Sequence, residues 1–186
     1  MNILFVCTGN TCRSPMAAAL MKGKYEAEYV LSAGIFAYNG SGAAPQAIAA
    51  LEEVGINAPH QSQSVTRELL EWADLVLTMT TGHKNSLIMQ YPDYQNKYFT
   101  LKEYTADTDK EVWTHLKKLH AELETGQATL SAERKAELLA EIGTLESKIV
   151  DYDISDPFGG PIELYRETLK ELDQHLGLLS EKLKRQ

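Results

Sequence analysis

The chain has 186 residues, 44% of them hydrophobic and 24% charged, which suits one soluble globular domain and leaves no composition typical of a disordered or fibrous protein. Its formal net charge of −8 argues against a nucleic-acid-binding surface, and no basic run points to an anionic membrane. Any capture of an anion must therefore be local.

The first apolar run, residues 2 to 6, is too short for a helix or a signal sequence and predicts a buried strand. Ser14 followed by Pro15 has the N-cap and N1 pattern of a helix start, so residues 7 to 14 form a loop from strand to helix. In that geometry the amides of Thr8, Gly9, Asn10, Thr11, Cys12 and Ser14 can converge on one point, toward which the helix dipole is also positive. Such a nest binds an oxyanion. It also stabilises a thiolate, the nucleophilic form of a cysteine, and Cys7 stands where the strand ends. Arg13, six residues on, carries a planar guanidinium able to hold two phosphoryl oxygens, and Ser14 can donate to a leaving thiolate. The alternative for Cys7 is a buried thiol in a tight turn.

Helical spacing of Met16, Ala17, Leu20, Met21 and Lys24 predicts a helix over 14–24 with one face on the sheet. Residues 29–34 predict a second strand, and the Gly, Ser and Ala-rich loop 37–44 is expected to wall the site. A helix follows over 45–54, with Ala47, Ile48, Leu51 and Val54 as its buried stripe and Gly55 as its stop. After a loop at 59–62 come a short helix over 65–73 capped by Thr66, a strand at 74–79, a loop at 80–83 whose His83 is a candidate for substrate contact, a helix at 84–91 and a fourth strand at 97–101. Strands alternating with helices imply a small doubly wound, four-stranded parallel sheet, with ligands at the strands' C-terminal edge, where Cys7, Gly34 and Thr80 fall.

Between residues 107 and 150 the strand signal stops. Val112, Leu116, Leu119 and Leu123 form one stripe, and Leu138, Ile142, Leu145 and Ile149 another, with Thr125, Gly126 and Gln127 between them. This pattern predicts a helical hairpin inserted at about 106–150 into one domain spanning 1–186, either a solvated excursion or a lid or docking arm. Asp151, Asp153 and Asp156 follow, and physical reasoning alone does not choose among these carboxylates. Pro161 opens a last helix with Tyr165, Leu169, Leu172, Leu176, Leu179 and Leu183 on its core face.

The run Val6-Cys7-Thr8-Gly9-Asn10-Thr11-Cys12-Arg13-Ser14-Pro15 resembles the signature of the low-molecular-weight protein tyrosine phosphatase superfamily, and within it the bacterial protein arginine phosphatases. The resemblance spans residues 1 to about 104 and 151 to the end. It implies a cysteine-dependent phosphatase that passes through a thiophosphate intermediate, needs neither cofactor nor metal, and acts on arginine-phosphorylated proteins. It also implies that Asp156, in Asp156-Pro157-Phe158-Gly159-Gly160, is the general acid, and that Phe158 stacks on the guanidinium. Ser32 then matches a serine that bonds Asn10, and His60 a histidine supporting the loop; both could equally be ordinary strand-end and surface residues. Phosphotyrosine hydrolysis is the alternative activity. Arsenate reduction needs cysteines beyond the loop, and a non-catalytic phosphoprotein-binding module would have lost Cys7 or Asp156. Cys7 and Cys12, the only two cysteines, could form a reversible redox latch in a cytoplasmic enzyme, or stay simple thiols. The oligomeric state leaves no mark in the sequence.

Overall fold

A computed structural model of the chain describes residues 1–106, 115, 118–123, 125–126, 130–146 and 151–185. The chain divides into two compact units, one formed by Met1–Thr105 with Tyr152–Gln186 and the other by Ala106–Asp151.

The larger unit is built on four parallel strands, β1 (Ile3–Cys7), β2 (Val30–Gly34), β3 (Leu75–Thr78) and β4 (Tyr98–Thr100), in the order β2-β1-β3-β4. Every residue of β1 is buried, which its unbroken apolar run requires of a strand covered on both faces. Its side chains alternate between two cores. Ile3, Phe5 and Cys7 face a cluster shared with α1 (Arg13–Gly23), α2 (Pro45–Glu53) and the last helix, while Leu4 and Val6 face Val65, Leu70, Val76 and Leu87. The second face is covered by α3 (Arg67–Trp72) and α4 (Thr81–Gln90). A 3-10 turn at Pro92–Lys97 leads into β4, and the short α5 (Leu101–Thr105) follows it directly. This is the doubly wound arrangement that strand and helix alternation implies. The strand order turns at β1, so the end of β1 is the switch point where such sheets bind ligands.

Several local expectations change. The first helix begins at Arg13 with Cys12 as its N-cap, not at Ser14, and no side chain caps it. Its amides are thereby left to the loop. This helix is also buried from Arg13 to Met21, because the sheet lies on one side and the last helix on another. In α2, Ala47 and Leu51 are buried, but Ile48 and Val54 are 41% and 56% exposed, so the inward stripe is narrower than the spacing predicts. Thr66 caps α3 as expected, accepting from Leu69 N at 3.3 Å. The helix expected at 84–91 starts three residues earlier because Thr80 caps it through His83 N.

In the second unit Leu119, Leu138 and Ile142 are buried against Leu123, Leu130 and Leu145. Here α6 (Ala132–Glu146) starts after Ser131, whose hydroxyl accepts from Arg134 N at 3.2 Å. Val112, Leu116, Gln127 and Ile149 lie outside the described residues. The chain returns to the larger unit and ends in α7 (Ile162–Lys184), which buries Tyr165, Leu169, Leu172, Leu176 and Leu179 and leaves Leu183 half-buried. Among the described residues no helix is long and apolar enough to cross a membrane.

Candidate active site

Cys7 closes β1, paired in register with Gly34, and its Sγ lies 3.0 Å from Ser14 Oγ. A single proton on Ser14 has two acceptors, Sγ and the Ala33 carbonyl at 3.3 Å. When the sulfur is a thiolate it is the stronger acceptor, so the hydroxyl turns to it.

The loop from Cys7 to Ser14 is held open by Asn10. This residue is fully buried with φ 55°, a left-handed conformation that asparagine tolerates better than most. Its amide nitrogen donates to Ser14 Oγ and Ser32 Oγ, both at 2.9 Å, and its Oδ1 accepts from Gln63 N at 2.9 Å. Its carbonyl accepts from His60 Nε2 at 2.7 Å and Ser62 Oγ at 2.8 Å. Because that carbonyl can only accept, His60 carries its proton on Nε2. Burial lowers the His60 pKa against the opposing pull of this bond. Ser32 and His60 therefore both touch Asn10 and both have a supporting geometry.

Gly34 makes the close approach of β2 possible. A Cβ there would stand 2.6 Å from the Thr8 carbonyl and 2.8 Å from Asn10 N, so any side chain would push the loop away. The Thr8 carbonyl accepts from Phe36 N at 2.9 Å, and the Thr11 carbonyl from Ala44 N at 2.8 Å. These bonds fasten the loop 35–44 as a wall and set the exposed ring of Phe36 one hydrogen bond from the anion loop. Gly9 has only Thr11 Oγ1 within reach of a would-be Cβ, at 3.6 Å. Thr11 Oγ1 also lies 3.6 Å from Cys12 Sγ, and Cys12 in turn 3.5 Å from the buried Tyr165 hydroxyl. Burial first, then the neighbouring Cys12, raise the Tyr165 pKa.

Arg13 is 5% exposed. Its Nη2 donates to Asp156 Oδ2 at 2.8 Å and its Nη1 to the Ile154 carbonyl at 3.4 Å. Asp156 also accepts from Phe158 N at 3.2 Å, a local turn in which the Phe158 ring stays exposed. Of the late carboxylates, Asp156 reaches Arg13, whereas Asp153 Oδ1 accepts from Thr81 N at 2.7 Å. Asp151 belongs to the second unit.

His83 closes the other side of the mouth. Its Nε2 is 2.8 Å from Thr8 Oγ1 and its Nδ1 2.9 Å from Thr80 Oγ1, so the ring bridges the anion loop and the start of α4. Burial, then the charge of Arg13, push its pKa down to about 4, leaving it neutral at pH 7. No local sequence signal finds this bridge, since Thr8 and His83 are 75 residues apart.

Cys7 stands at the sheet's switch point, on a loop that Asn10 holds, with the buried Arg13 and the Asp156 carboxylate facing it, an arrangement suited to cysteine-based phosphoryl transfer. The chain belongs to the low molecular weight phosphotyrosine protein phosphatase family, whose model matches residues 2–117 and so runs past residue 104, where the resemblance was expected to pause. The protein-arginine-phosphatase of Geobacillus stearothermophilus is 40% identical over 182 residues, covering 97% of this chain and 95% of that one. The corresponding Bacillus subtilis protein is 39% identical over 189 residues, covering 100% and 98%. A solved C7S mutant of YwlE arginine phosphatase, described as bearing a phosphorylated active site serine, superposes with a TM-score of 0.73 at 38% identity, covering 99% of this chain and 96% of that one.

Proposed function

We propose that this chain is a protein arginine phosphatase that hydrolyses phosphoarginine in two steps. In the first, the Cys7 sulfur attacks phosphorus in line as the P–N bond breaks; the bonding pair leaves on the guanidine nitrogen, which takes a proton from Asp156. Arg13 and the loop amides of Thr8 to Ser14 hold the equatorial oxygens, whose charge they match in the transition state. In the second step water attacks the thiophosphate, Asp156 accepts the proton of that water, and the S–P bond returns its electrons to Cys7. The net reaction is phosphoarginine and water to arginine and phosphate.

The observation that carries this reading is the contact of Arg13 with Asp156 at 2.8 Å beside the Cys7–Ser14 pair, in a chain alike over nearly its whole length to two arginine phosphatases. Asp156 is placed to exchange a proton with the guanidine nitrogen, and the exposed Phe158 and Phe36 rings offer the planar guanidinium faces to stack on. Thr11, in the same loop, offers a hydroxyl where an apolar side chain would suit a phenyl ring. Thr11→Ile is expected to lower kcat/KM for phosphoarginine and raise it for phosphotyrosine, moving the ratio by at least about tenfold. Side-by-side kinetics on the two phosphopeptides test both the substrate and the residue; a wild type faster on phosphotyrosine overturns the assignment.

The same site supports redox control. Peroxide would oxidise the Cys7 thiolate to a sulfenic acid, which Cys12 then attacks, expelling water and leaving a disulfide. Both cysteines are free and buried in one loop, and such thiols suit a reducing cytoplasm, which cell fractionation checks. Mild oxidation is expected to remove two hydrogens from the tryptic peptide spanning residues 1–13 and to be reversed by a thiol. Irreversible Cys7 sulfinic acid alone would exclude the latch.

A further inference from the structure

The segment leading to Asp156 is tied down residue by residue. Asp153 accepts from Thr81 N through its side chain at 2.7 Å and from Lys102 Nζ through its carbonyl at 2.6 Å. The buried Ile154 donates its N–H to the Met79 carbonyl at 2.7 Å and offers its carbonyl to Arg13. Ser155 is held by Glu171, on α7. One carboxylate oxygen, Oε2, accepts both the Ser155 N–H at 3.1 Å and its hydroxyl at 2.7 Å. With that proton committed, the 2.9 Å contact between Ser155 Oγ and buried Thr168 Oγ1 has Thr168 as donor.

The other oxygen of Glu171 pairs with Lys102 Nζ at 2.6 Å, with the two side chains only 24% and 12% exposed. A charge so shielded is costly unless its lone pairs are filled, and here a lysine and one serine fill them. Burial pushes the Glu171 pKa up, but the bonds from Lys102 and Ser155 outweigh it and the net shift is downward. Glu171 is thus a carboxylate throughout the neutral range. A helix position needed for packing alone would be served by an apolar side chain.

Asp156 sits between this doubly bonded Ser155 and the buried Pro157, whose ring restricts the backbone before it. Few soft torsions remain to aim its carboxyl. We propose that Glu171, braced by Lys102, is a positioning residue that sets the reach of Asp156 toward the leaving group by fixing Ser155. This rests on the reading of Asp156 as the general acid.

The test is kcat/KM on aryl phosphates of graded leaving-group acidity, because a misplaced acid hurts only departures that need a proton. Phenol, with a pKa of about 10, needs it, and dinitrophenol does not. Glu171→Ala is expected to lose at least about tenfold on phenyl phosphate and less than about threefold on 2,4-dinitrophenyl phosphate, while inhibition by inorganic phosphate stays within about twofold. Glu171→Gln, which keeps an acceptor for Ser155 but loses the charge facing Lys102, should fall between wild type and Glu171→Ala, and provides the test if Glu171→Ala does not fold. Asp156→Asn is run beside them. If it discriminates between the two substrates and the Glu171 variants lose equally on both, or on neither, Glu171 is structural and the proposal fails. If Asp156→Asn itself does not discriminate, the acid assignment fails and the positioning role with it.

Discussion

Cys7→Ser is expected to remove turnover of phosphoarginine while phosphate and vanadate still bind. The reason lies in how little of the loop depends on the sulfur. Asn10 holds the loop through Ser14, Ser32, Gln63, His60 and Ser62, and none of those bonds involves Cys7. The site of the change is 3% exposed and 3.0 Å from Ser14 Oγ, so a smaller oxygen fits without clash. What disappears is the thiolate: a serine hydroxyl stays protonated near neutral pH, and no general base stands beside it in the loop. A fall of at least about 10³ in kcat/KM, or about 4 kcal/mol of barrier, is expected. Calorimetric titration with vanadate should give an affinity near wild type. Residual activity above about a tenth of wild type, a barrier change under about 1.4 kcal/mol, would reject Cys7 as nucleophile.

The parts of this site that could be read from sequence are those packed into one short stretch. Cys7, Asn10, Arg13 and Ser14 lie within eight positions at the end of an apolar run, and a strand followed by a loop and helix fixes their relation almost without tertiary information. The links from Asn10 to Ser32 and His60 are reachable through family resemblance alone, since the partners stand 22 and 50 positions away. Sequence places His83 at the strands' C-terminal edge and Tyr165 on a core face, but not the contacts of His83 with Thr8 or of Tyr165 with Cys12, and it gives no sign of Gln63 or the Lys102–Glu171 pair, because each meets its partner through a crossover that periodicity does not specify. Local patterns also misjudged depth. A helical stripe marks Ile48 and Val54 as inward, but only the placement of α7 decides where α2 stops being covered. Ser14 reads as a cap because of Pro15, yet its hydroxyl is spent on Cys7 and Asn10, and the helix begins a turn's fraction earlier with its amides uncapped.

Asp156→Asn is expected to slow the first chemical step by roughly 10²–10⁴, about 2.7–5.4 kcal/mol, with the fold and the anion loop intact. The substitution preserves shape. The single amide oxygen can replace one of the two carboxylate acceptors: turned to Arg13 Nη2, which lies 2.8 Å from Oδ2, it leaves the amide NH2 toward Phe158 N, which lies 3.2 Å from Oδ1, and only that local bond is lost. The amide cannot pass a proton to the departing nitrogen or take one from water, so both proposed steps lose their proton carrier while the anion loop that binds the phosphoryl group is unchanged. Asp153→Asn is the sharp control, because Asp153 is three residues away and already committed. Its Oδ1 accepts from Thr81 N at 2.7 Å, a bond that an amide oxygen retains, so its loss of charge should change kcat/KM by less than about threefold. Asp151→Asn is expected to do as little. Pre-steady-state kinetics on phosphoarginine peptide separate the first step from the second for all three variants. A larger effect at Asp151 or Asp153 than at Asp156 would move the acid to that residue and leave the Arg13–Asp156 contact as an ion pair that shapes the mouth of the site.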